Sequence, residues 1–197
     1  MDRTVDVKGK RGFDELMADR TGIFDAPHYR AQVEAIADAM VKALRRSNKI
    51  LWMGNGGSAA EAQHMSAELS GRFLRDRPGL YSEALSVNTS TLTAVSNDFG
   101  YDRVFSRQVE AFVQPGDVLI GLTTSGSSPN IVLAFEEAIK RNALTVAITG
   151  NGGGRAAQVA DLVFMGPSGY SAIVQEVHQR MCHIICDLVE QRIIFEV

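Results

Sequence analysis

A chain of 197 residues, 45% hydrophobic and 22% charged, suits one compact domain with an ample core and excludes a disordered or low-complexity protein. The formal net charge of -3 leaves no basic footprint, which argues against a nucleic-acid partner bound through phosphate neutralisation. The opening from Met1 to Phe13 is polar, with Lys8, Lys10 and Arg11 and no apolar stretch behind them, so neither a signal peptide nor a membrane span is expected and the cytoplasm is the expected location.

A single domain over 1–197 is expected, with 1–27 as an N-terminal extension or helix and 28–197 as the core. From His28 to Arg46, the apolar residues Val33, Ile36, Ala37, Met40, Val41 and Leu44 follow the spacing of an amphipathic helix; His28 itself is assigned no role. Short apolar runs then recur at 50–53, 84–87, 118–123, 144–149 and 162–165. Helical patterns lie at 58–73, 131–142 and 155–160, and a long one spans Ser171 to about Phe195. This rhythm predicts an α/β protein with a doubly wound, five-stranded parallel sheet flanked by helices, preceded by an N-terminal helix.

The first strand, Ile50-Leu51-Trp52-Met53, runs into Gly54-Asn55-Gly56-Gly57-Ser58, read as a tight turn with Ser58 capping the next helix. Such a helix start attracts anions. His64 and Glu68 are four residues apart, a rise of about 6 Å, and so project from one helical face near that turn. After the third strand, Thr123-Thr124-Ser125-Gly126-Ser127-Ser128-Pro129-Asn130 repeats the strand-to-helix logic with hydroxyls. Ligands of open α/β sheets sit at the carboxyl ends of strands, so the two loops together predict a phosphate cradle of amides, hydroxyls and a helix dipole. Gly150 to Gly154 reads as a flexible turn after a strand.

The loop Gly54, Gly56, Ala59 satisfies the loose dinucleotide pattern, but Ser86-Val87-Asn88-Thr89 offers no acidic residue for a ribose, and no P-loop motif is present. His178 reads as a satisfied polar residue of the last helix. Gln175 and His183 are eight residues apart on that helix, so their side chains can lean toward one point between them. Cys182 and Cys186 read as buried reduced thiols.

The ordered set Gly54-Asn55-Gly56-Gly57-Ser58-Ala59-Ala60, Ala62-Gln63-His64, Glu68-Leu69, Gly71-Arg72-Phe73, Arg77-Pro78-Gly79, Leu92-Thr93-Ala94, Asn97-Asp98, Pro115-Gly116-Asp117, Thr124-Ser125-Gly126, Gln175-Glu176 and His183 resembles the phosphoheptose isomerases, which have the flavodoxin-like sugar isomerase (SIS) fold. The resemblance implies interconversion of sedoheptulose 7-phosphate and D-glycero-D-manno-heptose 7-phosphate, the entry to bacterial heptose for lipopolysaccharide or capsule. It implies a homotetramer with sites between subunits. It also implies one Zn2+ per subunit on His64, Glu68, Gln175 and His183, with Glu68 and His183 as the acid/base pair. Asn55, Gly56, Gly57, Ser58, Glu68, Asn97, Asp98, Thr123, Thr124, Ser125, Ser128 and Gln175 fall where the family meets the sugar phosphate. A carboxylate and an imidazole can relay the proton of an aldose-ketose exchange, and a metal beside them polarises the carbonyl.

The chain departs from the family at Glu61, where an aspartate is expected, and in Gly169-Tyr170-Ser171-Ala172-Ile173, where relatives carry a cation at the position of Ile173. The first 27 residues match poorly and are assigned a packing role at most. Two alternatives stand beside the isomerase: a non-catalytic SIS binding protein of the replication-initiator-associating type, and an isomerase of another phosphorylated ketose.

Overall fold

The computed structural model describes residues 12–18, 20–21 and 29–196. Its strands are β1 (Ile50–Gly54), β2 (Ser82–Ala84), β3 (Val118–Thr123), β4 (Leu144–Thr149) and β5 (Leu162–Met165). All pair in parallel, in the order β2-β1-β3-β4-β5. The winding reverses between β1 and β3, whose carboxyl ends lie side by side at Gly54 and Leu122. In open α/β sheets the ligand crevice opens at that switch point.

The helices are α1 (Phe13–Ala18), α2 (Tyr29–Arg45), α3 (Gly57–Ser70), α4 (Thr89–Phe99), α5 (Ser106–Phe112), α6 (Pro129–Lys140), α7 (Gly154–Val159) and α8 (Ser171–Phe195). Strand alternation decides which layer each covers. Ile50, Trp52, Ile120, Val146 and Ile148 pack beneath α2, α3 and α8, whereas Leu51, Met53, Leu119 and Ala147 pack against α5, α6 and α7. β3 is buried at every position, which explains its unbroken apolar run. The Trp52 indole is fully buried and donates its N–H to Ser82 Oγ at 2.9 Å, tying the edge strand to the centre.

The expected architecture is present, with local differences. The edge strand occupies Ser82–Ala84 rather than 84–87, because the Val87 N–H donates back to the Ala84 carbonyl and the chain turns into α4. α4 has no fully buried residue and meets the core through partly buried Leu92 and Val95, a stripe too short to stand out in the sequence; the Asn88 side chain caps it by accepting from the Thr91 N–H at 3.0 Å. α3 begins at Gly57, and Gly56, at φ 55°, holds the N-cap position expected for Ser58. Ser58 is buried in the first turn instead.

The extension supplies α1, and Arg20 after it donates Nε to both oxygens of Glu176 at 3.0 Å, docking this segment on α8. His28 lies outside the described residues. Cys182 and Cys186 are free, and burial pushes both thiols above their usual range. Among the described residues, no helix is long and apolar enough to cross a membrane.

Candidate active site

Asn55 pins the two crevice loops together. Its amide donates to Asn130 Oδ1 at 3.0 Å, and its oxygen accepts from Asn130 Nδ2 at 2.9 Å and from the Tyr101 hydroxyl at 3.0 Å. The loop after β3 is shaped by its own hydroxyls: Thr123 Oγ1 lies 3.1 Å from Ser128 Oγ and accepts from the Gly126 N–H, while Ser125 Oγ accepts from the Ser127 N–H. Thr124 Oγ1 lies 3.2 Å from Ser171 Oγ, joining the loop to the start of α8. The loop leads into the N terminus of α6, where Pro129 occupies the first turn and the amide dipoles favour an anion.

The glycine cluster after β4 is a fixed buttress rather than a flexible turn. The Gly150 N–H donates to the Thr124 carbonyl and the Ala156 N–H to the Gly126 carbonyl. Gly126 has φ +66°, and a Cβ there would lie 2.0 Å from the Gly153 carbonyl oxygen, so only glycine permits this approach.

α3 and α8 lie side by side in the same direction, meeting at Gly57 with Gln175, at His64 with His183, and beyond α3 at Phe73 with Glu190. His64 Nε2 is 3.0 Å from Glu68 Oε1 and 3.5 Å from His183 Nε2, and one ligand atom from each of the three falls within 4.8 Å of the others. The two imidazoles meet edge to face at 5.0 Å, and Phe73 stacks on His183 at 5.7 Å. Two imidazole nitrogens and a carboxylate oxygen are a donor set suited to zinc. Gln175, the fourth residue of the predicted set, sits at the other end of the seam, where its Nε2 would lie 2.7 Å from a Cβ on Gly57.

Between these ends lies a cavity of about 330 Å³, lined by Gly57, Ser58, Glu61, Gln175, His178 and Gln179 among others. Burial raises the Glu61 carboxyl above its usual range, against the attraction of His64, whose Nδ1 is 3.9 Å from Glu61 Oε2. Glu61 Oε1 has no partner, and neither has His178 Nδ1. His178 is 1% exposed, burial depresses its pKa to about 4, and its Nε2–H donates to the Thr149 carbonyl at 3.0 Å. His178 is therefore half satisfied rather than satisfied. An orphaned buried polar atom costs about 1–3 kcal/mol.

At the far end of the seam, fully buried Glu190 anchors the segment after α3. It accepts from the backbone N–H groups of Phe73, Leu74 and Arg75 and from Arg77 Nε, all within 3.1 Å. Arg77 in turn donates to the carbonyls of Glu68 and Leu69, closing the last turn of α3 next to the histidine pair.

Asn97 and Asp98 lie exposed on α4, where the Asn97 amide donates to the Asp98 carboxylate at 2.8 Å. Ile173 is 1% exposed and packs in the interior, so the departure at this position alters the core and not the rim of the crevice. Sequence reasoning passed over Asn130, Tyr101, Phe73, Ser171 and Gln179. Of these, Asn130, Phe73 and Ser171 stand inside recognised segments, while Tyr101 and Gln179 carry no local pattern that marks them.

Fold and crevice define the class: an open parallel α/β domain of the SIS type, and the family described as SIS domain matches residues 26–150. The phosphoheptose isomerase of Akkermansia muciniphila is 49% identical over 161 residues, 82% of this chain and 85% of that protein. That of Geobacter sp. (strain M21) is 50% identical over 161 residues, 82% and 84% of the two chains. Among solved structures, the phosphoheptose isomerase from Neisseria gonorrhoeae superposes with a TM-score of 0.84 at 36% identity, covering 89% of this chain and 96% of that one. The chain belongs to the phosphoheptose isomerase family, whose members are sugar-phosphate isomerases.

Proposed function

We propose that this protein interconverts sedoheptulose 7-phosphate and D-glycero-D-manno-heptose 7-phosphate. The observation that carries the reading is the meeting of His64, Glu68 and His183 on neighbouring helices, beside a hydroxyl-lined loop at the switch point of the sheet. The loop from Thr123 to Ser128, with Asn55, Gly56, Gly57 and Ser58, receives the phosphate. Asn97 and Asp98 complete the substrate contacts from a neighbouring subunit of a homotetramer, which suits their exposure on α4. Self-association is supported by the apolar groove between α2 and α8, lined by Val33, Met181, Ile184 and Leu188.

A Zn2+ would be held by His64, Glu68 and His183, with Gln175 as fourth ligand once its side chain swings from Gly57 toward them, and would supply Lewis-acid polarisation of the sugar carbonyl. Glu68 and His183 move the protons. One takes the proton from C1 of the ketose, leaving an enediol as the C2 oxygen gains a proton; protonation at C2 and loss of the C1 hydroxyl proton then give the aldose. Phe73 fixes the His183 ring by stacking, and Asn55 holds both loops in register. We place the whole chain in one domain and in the cytoplasm, where a membrane-impermeant sugar phosphate is available.

Incubation of the zinc-loaded protein with sedoheptulose 7-phosphate tests the reading. NMR should show the heptose aldose accumulating to an equilibrium mixture. Absence of turnover at every zinc loading overturns it.

A further inference from the structure

We propose that Glu61 and His178 form a hydroxyl-binding subsite in the cavity between α3 and α8, which takes the mid-chain hydroxyls of a polyol phosphate. The inference rests on the isomerase reading for its ligand class and extends it to two residues outside the predicted set. Among the described residues, Glu61 Oε1 and His178 Nδ1 are the buried side-chain polar atoms without a partner, and both residues line this one cavity. Native interiors leave few such atoms, so two orphans sharing a cavity mark a place for a ligand group.

The chemistry of the two atoms selects the group. A carbonyl can only accept, so the bond to Thr149 fixes the His178 proton on Nε2 and leaves Nδ1 a lone-pair acceptor. Glu61 Oε1 adds a second acceptor. Two acceptors call for O–H donors, and a hydroxyl that donates to either can also accept from the amides of Gln175 or Gln179, which line the same space. A phosphate dianion offers no such donors and would meet the carboxyl.

The position fits the middle of a chain. Ser58, beside the phosphate loops, and His64, in the trio, are six residues apart on α3, a rise of about 9 Å, with Glu61 halfway between them. On α8, His178 and Gln179 likewise fall between Gln175 and His183. A sugar phosphate with its anion at the loops and its carbonyl at the trio would lie along the α3–α8 seam, where this cavity, lined by Gly57, Ser58 and Gln175, faces its central hydroxyls.

Calorimetric titration of the zinc-loaded protein with sorbitol 6-phosphate and with inorganic phosphate tests the subsite. His178→Phe removes the free Nδ1 acceptor, together with the bond to Thr149, and Glu61→Met removes both carboxylate oxygens at nearly constant length. Each should weaken sorbitol 6-phosphate roughly 10-fold and leave inorganic phosphate, which reaches only the loops, unchanged. Equal affinity for sorbitol 6-phosphate in wild type and both variants overturns the proposal, as does a parallel loss for both ligands. If circular dichroism shows His178→Phe unfolded, Glu61→Met alone decides. These constants do not depend on turnover, so failure to convert sedoheptulose 7-phosphate would count against the isomerase and leave the subsite test standing.

Discussion

Two carboxylates face the seam between α3 and α8, one near each end: Glu190 is fully buried and Glu61 partly so, and their surroundings differ. Glu190 is saturated: three backbone amides and the Arg77 guanidinium converge on it. Burial pushes its carboxyl up, but those bonds and the Arg77 charge together hold it below the usual range. Glu61 has one oxygen with no partner, and burial raises its carboxyl. The saturated end stores stability and fixes the segment that brings Phe73 onto His183. The unsaturated end leaves its polar atoms for something that is not protein. The same two helices thus separate the support of the site from the site.

The largest effect separates chemistry from folding. Glu68→Gln and His183→Gln should each lower turnover of sedoheptulose 7-phosphate by about 10²-fold or more, with stability in urea within about 1 kcal/mol of wild type. A matching loss of stability would break the comparison, because the trio would then be part of the support.

Glu190→Gln should do the reverse. It leaves Arg77 and three amides facing a neutral group, so urea denaturation should show a loss of about 3–5 kcal/mol. Gly126→Ala comes next: the added Cβ meets the Gly153 carbonyl at a left-handed φ. A cost of about 1–3 kcal/mol is expected, together with a raised KM for sugar phosphate, because the cradle moves with its buttress.

The smallest effect has the opposite sign. Glu61→Gln removes a carboxyl that burial disfavours in its charged form, so metal-free protein at neutral pH should gain about 2 °C in Tm. Acid titration sharpens the contrast. The depressed folded pKa of Glu190 makes its contribution fully present above the unfolded value of 4.5 and lost as pH falls through the folded value. Glu61, with its folded pKa raised, adds stability at low pH that is lost as pH rises from 4.5 through the folded value. Thermal melts should therefore place the two variants on opposite sides of wild type at neutral pH, Glu190→Gln below and Glu61→Gln above, and bring both toward it as pH falls.

Much of this was legible in the sequence where a physical pattern repeats. β1, β3, β4 and β5 are dominated by apolar residues, α2 and α8 have long patterned faces, and His64 and Glu68 are close in sequence, so strands, helices and two of the trio follow from local spacing. α4 was not legible, because Leu92 and Val95, which pack it on the core, are too few to set a period. The buttressing of Gly126 by Gly153 was hidden as well: a glycine cluster shows freedom of φ but not which backbone it will meet. The orphan on His178 depends on which ring nitrogen finds the Thr149 carbonyl, a fact of tertiary structure alone. Glu61 stood out only as one methylene more than its family position expects, and the lack of a partner for its second oxygen emerges once α8 is in place.

Anomalous diffraction at the zinc edge, from crystals grown with zinc and a sugar phosphate, tests the central claim most directly. The account predicts one peak per subunit bonded by His64, Glu68 and His183, with the Gln175 amide oxygen as the fourth protein ligand and the phosphate seated in the loop from Thr123 to Ser128. A zinc peak elsewhere, with those three side chains bare while the sugar phosphate is bound, would contradict it.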